Sequence, residues 1–163
     1  MTDNFQRTGS ISNAHVGRDF ENLALGYFDT IGIELSLDVT VDVGINEHKK
    51  AHAFDLGCLK KKLVVECKSH KWTKGDNVPS AKLTVWNEAM YYFLAAPEDL
   101  RKILFVLRDF SAKRQETLAE YYIRTYYHLI PRDVEIWEYC NESKSVAQHT
   151  FNKGLNLTPG GAN

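Results

Sequence analysis

Cysteine is scarce and unpatterned. Cys58, Cys67 and Cys140 are the three in 163 residues, and no two form a Cys-x-x-Cys pair. An odd, widely spaced set offers neither a disulfide framework nor a zinc site, and it suits a reducing, cytoplasmic setting. The six histidines show no metal-ligand spacing either. No apolar run approaches the ~20 residues that cross a bilayer. The opening MTDNFQRTGS lacks the basic-then-apolar pattern of a secretory signal, so no membrane association is expected. Net charge is nearly absent too, at −1, a poor total for a protein that binds a polyanion.

The distribution of charge matters more than its sum. Residues 47–74 carry eight lysines against Glu47, Asp55 and Glu66, a surplus of five positive charges that leaves the rest of the chain at −6. An apolar fraction of 44% with 12% aromatics supports a real core in a chain of one-domain length. Residues 1–12 read as a flexible N-terminus, 13–140 as one domain, and 141–163 as a flexible or peripheral tail.

Ser12 or Asn13 can cap a helix that runs to about Thr30, with Val16, Phe20, Leu23, Tyr27 and Ile31 as its buried stripe. Glu21 falls on the flank of that stripe, near Gly17, Ala24 and Phe28. From Ile33 to Val43 the alternation is strict, which predicts a strand with one buried face. Ala51–Gly57 and Leu63–His70 complete a meander. Residues 71–79 form a basic loop around Trp72, which either touches a nucleic acid or covers the sheet edge. Ser80 caps a second helix with the stripe Leu83, Trp86, Met90, Phe93 and Leu94; Ile103–Phe110 reads as a central strand. A third helix is expected over Ser111–Ile130, stopped by Pro131, and a last strand over Val134–Tyr139. The order αβββαβαβ predicts a single-domain α/β sandwich, with a mixed β-sheet of an antiparallel meander plus crossover strands, flanked by helices.

Within this frame Phe54–Lys68 concentrates the chemistry. A hairpin centred between Lys60 and Lys61 sets Asp55 opposite Glu66, and opposed residues share a face at roughly 4.5–5.5 Å between Cβ atoms. Alternation adds Lys68 to that face and turns Cys67 away, leaving His52, Phe54, Leu56, Leu63, Val65 and Cys67 on the other. Glu-x-Lys occurs three times, at Glu47–Lys49, Glu66–Lys68 and Glu142–Lys144. Only the second follows a hydrophobic run and has an aspartate in register. Lys60, Lys61, Lys62, Lys71 and Lys74, with Trp72, are the candidate contacts to a phosphate backbone.

Asp55, Glu66 and Lys68 together resemble the motif of the PD-(D/E)XK nuclease superfamily, whose members share the restriction endonuclease-like fold. Phe54 stands where the motif has proline, and Gly17-Arg-Asp-Phe-Glu21 is similar to the glutamate-bearing helix of many members. The resemblance covers residues 15–140 in element order. It implies a Mg²⁺-dependent DNA endonuclease, with Mn²⁺ able to substitute. Asp55, Glu66 and the Cys67 backbone carbonyl would hold the metal, Lys68 would act on the water or the phosphate, and Glu21 would lend support. A restriction-type enzyme acting on double-stranded DNA as a homodimer is the leading expectation. The alternatives are a repair or recombination nuclease, such as a Holliday-junction resolvase, and a catalytically inactive nucleic-acid-binding member of the fold.

Overall fold

The alternating segment forms strand β1 (Ser36–Val43), paired antiparallel with β2 (Lys50–Cys58). The computed structural model describes residues 13–149, so the proposed Ser12 cap, the N-terminus 1–12 and the last residues 150–163 lie outside it. A single 3₁₀ turn at Leu59–Lys61 reverses β2 into β3 (Leu63–Lys68). Helix α2 (Ser80–Ala95) crosses over to β4 (Arg101–Leu107), which lies parallel to β3. A small hairpin follows, β5 (Phe110–Ser111) with β6 (Glu116–Thr117). Helix α3 (Leu118–Tyr126) then leads to β7 (Val134–Cys140), parallel to β4, and β8 (Ser145–His149) turns back along β7. The result is one open, mixed six-strand sheet, ordered β1-β2-β3-β4-β7-β8, with three helices in an α/β domain.

Alternation along the central strands divides the core into two layers. Leu63, Val65, Cys67, Ile103, Phe105, Trp137 and Tyr139 pack under helix α1 (Asn13–Thr30). Val64, Leu104, Val106, Val134 and Ile136 pack under α2 and α3. The hairpin β1–β2 departs from this rule. Leu35, Leu37 and Leu56 belong to the α1 layer, whereas Val41, Val43 and Phe54 belong to the α2 layer. The expected single face for Ile33–Val43, and for Phe54 with Leu56, is therefore corrected. The pairs Leu37–Leu56 and Val39–Phe54 bracket positions 38 and 55. There Asp38 takes a left-handed φ of +54°, which rotates the hairpin from one layer to the other. Aspartate tolerates that conformation better than a β-branched residue.

Helix α1 buries a face turned from the expected stripe. Phe20, Ala24 and Phe28 are its core residues, while Val16 and Ile31 are exposed. Ile31 falls in the turn beyond the helix end at Thr30, and Phe28 stacks on Trp137 at 5.4 Å. In α2, Leu83, Trp86, Met90 and Phe93 are buried as expected, with Ala89 between them; Leu94 is 59% exposed. Ser80 is the first helical residue and not a cap, since the N-cap is Pro79 and makes no side-chain cap bond.

The helix expected over 111–130 is shorter, because the β5–β6 hairpin occupies its first residues. The helix begins after Thr117, whose hydroxyl accepts from the Glu120 N–H while the Glu120 carboxylate accepts from the Thr117 N–H. This capping box satisfies two otherwise orphaned donors. Beyond residue 140, β8 extends the sheet past the expected domain end. A polar turn hides this edge strand in the sequence.

Candidate active site

The ladder between β2 and β3 is short: Cys58–Leu63, Gly57–Val64 and Leu56–Val65. Continued by one step, the same register brings Asp55 to Glu66, but no ladder pair forms there. Instead the Cys67 N–H donates to Asp55 Oδ2 at 2.7 Å, so the side chain of Asp55 fills the place of a strand partner. Asp55 is also where the hairpin passes between layers, which leaves its carboxylate between the two helical sides.

Lys68 ends β3 and joins the acids. Its Nζ is 2.7 Å from Glu66 Oε2 and 3.7 Å from Asp55 Oδ2. Glu66 keeps only 8% side-chain exposure and Lys68 13%. A second partner of Glu66 is His52, whose Nε2 is 3.3 Å from Oε1. The imidazole is clamped against Tyr92 of α2, with ring centroids 3.7 Å apart and planes at 11°.

Glu21 faces the same place from α1. Gly17, Phe20, Glu21, Ala24 and Phe28 recur at helical spacing on the buried side, so the rotated face carries Glu21 inward. Glu21 lines a cavity of about 460 Å³ with Asp55, Cys67, Lys68, His70 and Lys82. Arg18 Nη1 lies 3.0 Å from Glu21 Oε2 and 3.1 Å from Asp38 Oδ2, tying α1 to the residue where the hairpin turns over. Glu21 Oε2 is nevertheless buried without a hydrogen bond of good geometry.

Burial and crowding set the protonation. Burial, then the charge of Glu66, push the Asp55 carboxyl up to about 6. Burial raises Glu21 as well, only partly offset by Arg18. For Glu66, burial acts upward, but hydrogen bonds from His52 and Lys68 and the Lys68 charge outweigh it and hold the carboxyl below its ordinary value. Burial alone would lower Lys68; Glu66 and Asp55 reverse this and hold the ammonium charged. Burial holds the Cys67 thiol well above its ordinary value, an inert core sulfur. Among the described residues no three His, Cys, Asp or Glu side chains form a ready-made metal cage.

The proposed basic contacts divide. Lys60, Lys61 and Lys62 sit at the opposite end of β3 from Lys68, roughly 20 Å away along six residues of strand. Lys62 is ion-paired with Asp99 at 2.8 Å, so the triple lysine does not flank the acids as expected. Lys71 does line the cavity, and Lys74 is exposed in the neighbouring loop. Trp72 is half-buried and packs against the loop after β4. Its backbone and indole N–H groups donate to Asp109, and its ring lies under Arg114 at 5.0 Å and edge-on to Tyr121.

His52, His70, Lys82 and Tyr92 belong to the site but not to the expected set. Strand alternation carried straight through Asp55 puts His52 among core residues; the turn at Asp38 breaks that count. Tyr92 and Lys82 come from a helix whose apolar stripe draws attention away from its flank. No helix among the described residues is long and apolar enough to cross a membrane. No protein-family model matches the chain, and no curated protein or solved structure matches it, so its functional reading rests on these side chains.

Proposed function

We propose that this chain is a Mg²⁺-dependent DNA endonuclease of the PD-(D/E)XK superfamily, of restriction type and with its restriction endonuclease-like fold. The observation that carries this reading is the Lys68 ammonium, 2.7 Å from Glu66 and 3.7 Å from Asp55 at the end of a central strand. The donor set fits a hard divalent cation. Glu21 and Asp55 line one cavity and Glu66 another, with Lys68 lining both; burial raises the Glu21 and Asp55 carboxyls, and the buried Glu21 Oε2, 3.0 Å from Arg18, makes no hydrogen bond of good geometry. Magnesium is typically held by one or two carboxylates and retains several waters. Asp55, Glu66 and the Cys67 carbonyl would hold it, with Glu21 in support, and Mn²⁺ would substitute. When bound, the ion supplies charge at a phosphoryl oxygen and a more acidic water.

The chain's own residues do the rest. The Cys67 N–H fixes the Asp55 carboxylate, and His52 with Lys68 keeps Glu66 ionised and oriented. Lys68, held protonated, donates to a phosphate oxygen and offsets the charge that develops as water adds to phosphorus. The P–O3′ bond breaks, leaving a 5′-phosphate and a 3′-hydroxyl that takes up a proton. Double-stranded DNA is the partner, and a homodimer would bring one centre to each strand.

Supercoiled, linear and branched DNA incubated with and without Mg²⁺, beside Lys68→Ala, tests this. Cleavage by the wild type with Mg²⁺ alone is expected, lowered about 100-fold or more in the variant. No cleavage of any of the three substrates with Mg²⁺ or Mn²⁺ would refute it.

A further inference from the structure

The cavity beside the acids has a second wall that the proposed reaction does not use. Ser69, His70 and Lys71 follow Lys68 out of β3, and Lys82 faces them from the first turns of α2. His70 is half-buried, and its Nδ1 accepts a hydrogen bond from the Trp86 indole N–H at 2.8 Å. Trp86 has no solvent exposure, so this indole N–H depends on its partner. A neutral imidazole has one accepting and one donating nitrogen. With Nδ1 fixed as the acceptor, the proton is on Nε2. Burial, then the charges of Lys82 and Lys68, hold the ring's pKa down to about 4, which keeps it uncharged at neutral pH.

We propose that His70 is a fixed, uncharged hydrogen-bond donor to a phosphodiester oxygen of the substrate, set in its donating tautomer by Trp86 and flanked by Lys71 and Lys82. The inference rests on the nuclease reading for the identity of the ligand. A phosphodiester lying between Asp55 and Lys82 meets carboxylates on one side and donors on the other. The two lysines supply charge without direction, whereas the imidazole supplies a donor of fixed direction. His70 is thus a positioning residue for the phosphate, and its bond to Trp86 also carries α2 into the site.

Asparagine at 70 offers an amide oxygen near the place of Nδ1 and so keeps a partner for Trp86, but it has nothing where Nε2 stands. Glutamine carries an amide N–H about as far out as Nε2. Binding of a labelled short duplex with Mg²⁺ is measured by fluorescence anisotropy in the Lys68→Ala background, beside thermal melts. His70→Asn and His70→Ala are expected to weaken binding about 10- to 100-fold, the worth of a hydrogen bond to a charged group, with His70→Gln within about threefold of the parent. The melt of His70→Asn should match the parent. Parent-like binding by His70→Asn, or equal weakening in all three variants, would overturn the proposal. A wild type that cuts no DNA while the Asn–Gln difference persists sinks the nuclease reading alone. A wild type that cuts while that difference is absent sinks the role of His70 alone.

Discussion

Asp55 sits where burial and a neighbouring carboxylate both oppose its charge, and its carboxyl is pushed up to about 6. Between the ordinary value of 3.8 and 6, the folded chain keeps a proton that the unfolded chain has lost. This group's contribution to stability therefore falls as pH rises through that window, and at neutral pH ionised Asp55 costs about 3 kcal/mol. Asparagine retains an acceptor for the Cys67 N–H without the charge. Metal-free Asp55→Asn should melt about 6–12 °C above wild type at pH 7.5, with the gap closing towards pH 4. Coincident melts at pH 7.5 would show that the site stores no such cost. Added Mg²⁺ should raise the melt of wild type and leave the variant unmoved. His52 acts on the other acid. His52→Ala removes a donor to Glu66 and the stack on Tyr92, and partners of this kind are typically worth 10–100-fold in metal affinity. The Mg²⁺ concentration giving half-maximal cleavage should rise by about tenfold or more; an unchanged Mg²⁺ titration would make His52 a packing residue.

Among the elements, the β1–β2 hairpin is the one on which the site depends most, because its change of layer at Asp38 sets Asp55 between the helices. Valine at 38 would have to adopt φ near +54°, which β-branched residues resist. Asp38→Val should therefore destabilise the chain by about 2 kcal/mol in urea melts; a neutral result would mean the hairpin relaxes without it. Much of this architecture is legible in the sequence. The helix–meander–crossover order, the centre of the β2–β3 turn and the inward turn of Glu66 and Lys68 all follow from periodicity, because period-2 and period-3.6 patterns are local. The layer change is not legible. It depends on one backbone dihedral at an aspartate, and an alternating pattern looks the same whether or not the ribbon rolls over. The late start of α3 leaves a signal in the T-x-x-E of Thr117–Glu120, which an aromatic stripe obscures. The triple lysine stands apart from the acids because sequence proximity to Glu66 is not spatial proximity along an extended strand. Replacing Lys71, Lys74 and Lys82 with glutamine should flatten the salt dependence of DNA binding by about 0.9 for each phosphate no longer neutralised. The same change at Lys60, Lys61 and Lys62 should flatten it less, and the reverse order would restore the triple lysine to the interface.

For the whole molecule, the one centre proposed among the described residues bears on assembly. Cutting both strands at one place calls for two centres, and two-fold dimers are the commonest oligomers. Sedimentation with a duplex is expected to show two chains per DNA; one chain per DNA, with nicked circles as end product, would exclude the dimer. The three-pair ladder between β2 and β3 has a further consequence, in time. Asp55, Glu66 and Lys68 are joined across a turn of a few residues, a closure with a small entropic cost. Tyr92 and Trp86 reach the site only after the α2 crossover lays β4 beside β3, where Lys68 meets Val106 across a long stretch of chain. Local pairings form fast and distant ones slowly. The two acids and the ammonium should therefore meet early, near the folding nucleus, and the histidine clamps should close late. Substitutions at Leu56 or Val65 would then slow refolding, whereas loss of the Tyr92 ring would chiefly hasten unfolding, so that the protein acquires its charges before it acquires the means to aim them.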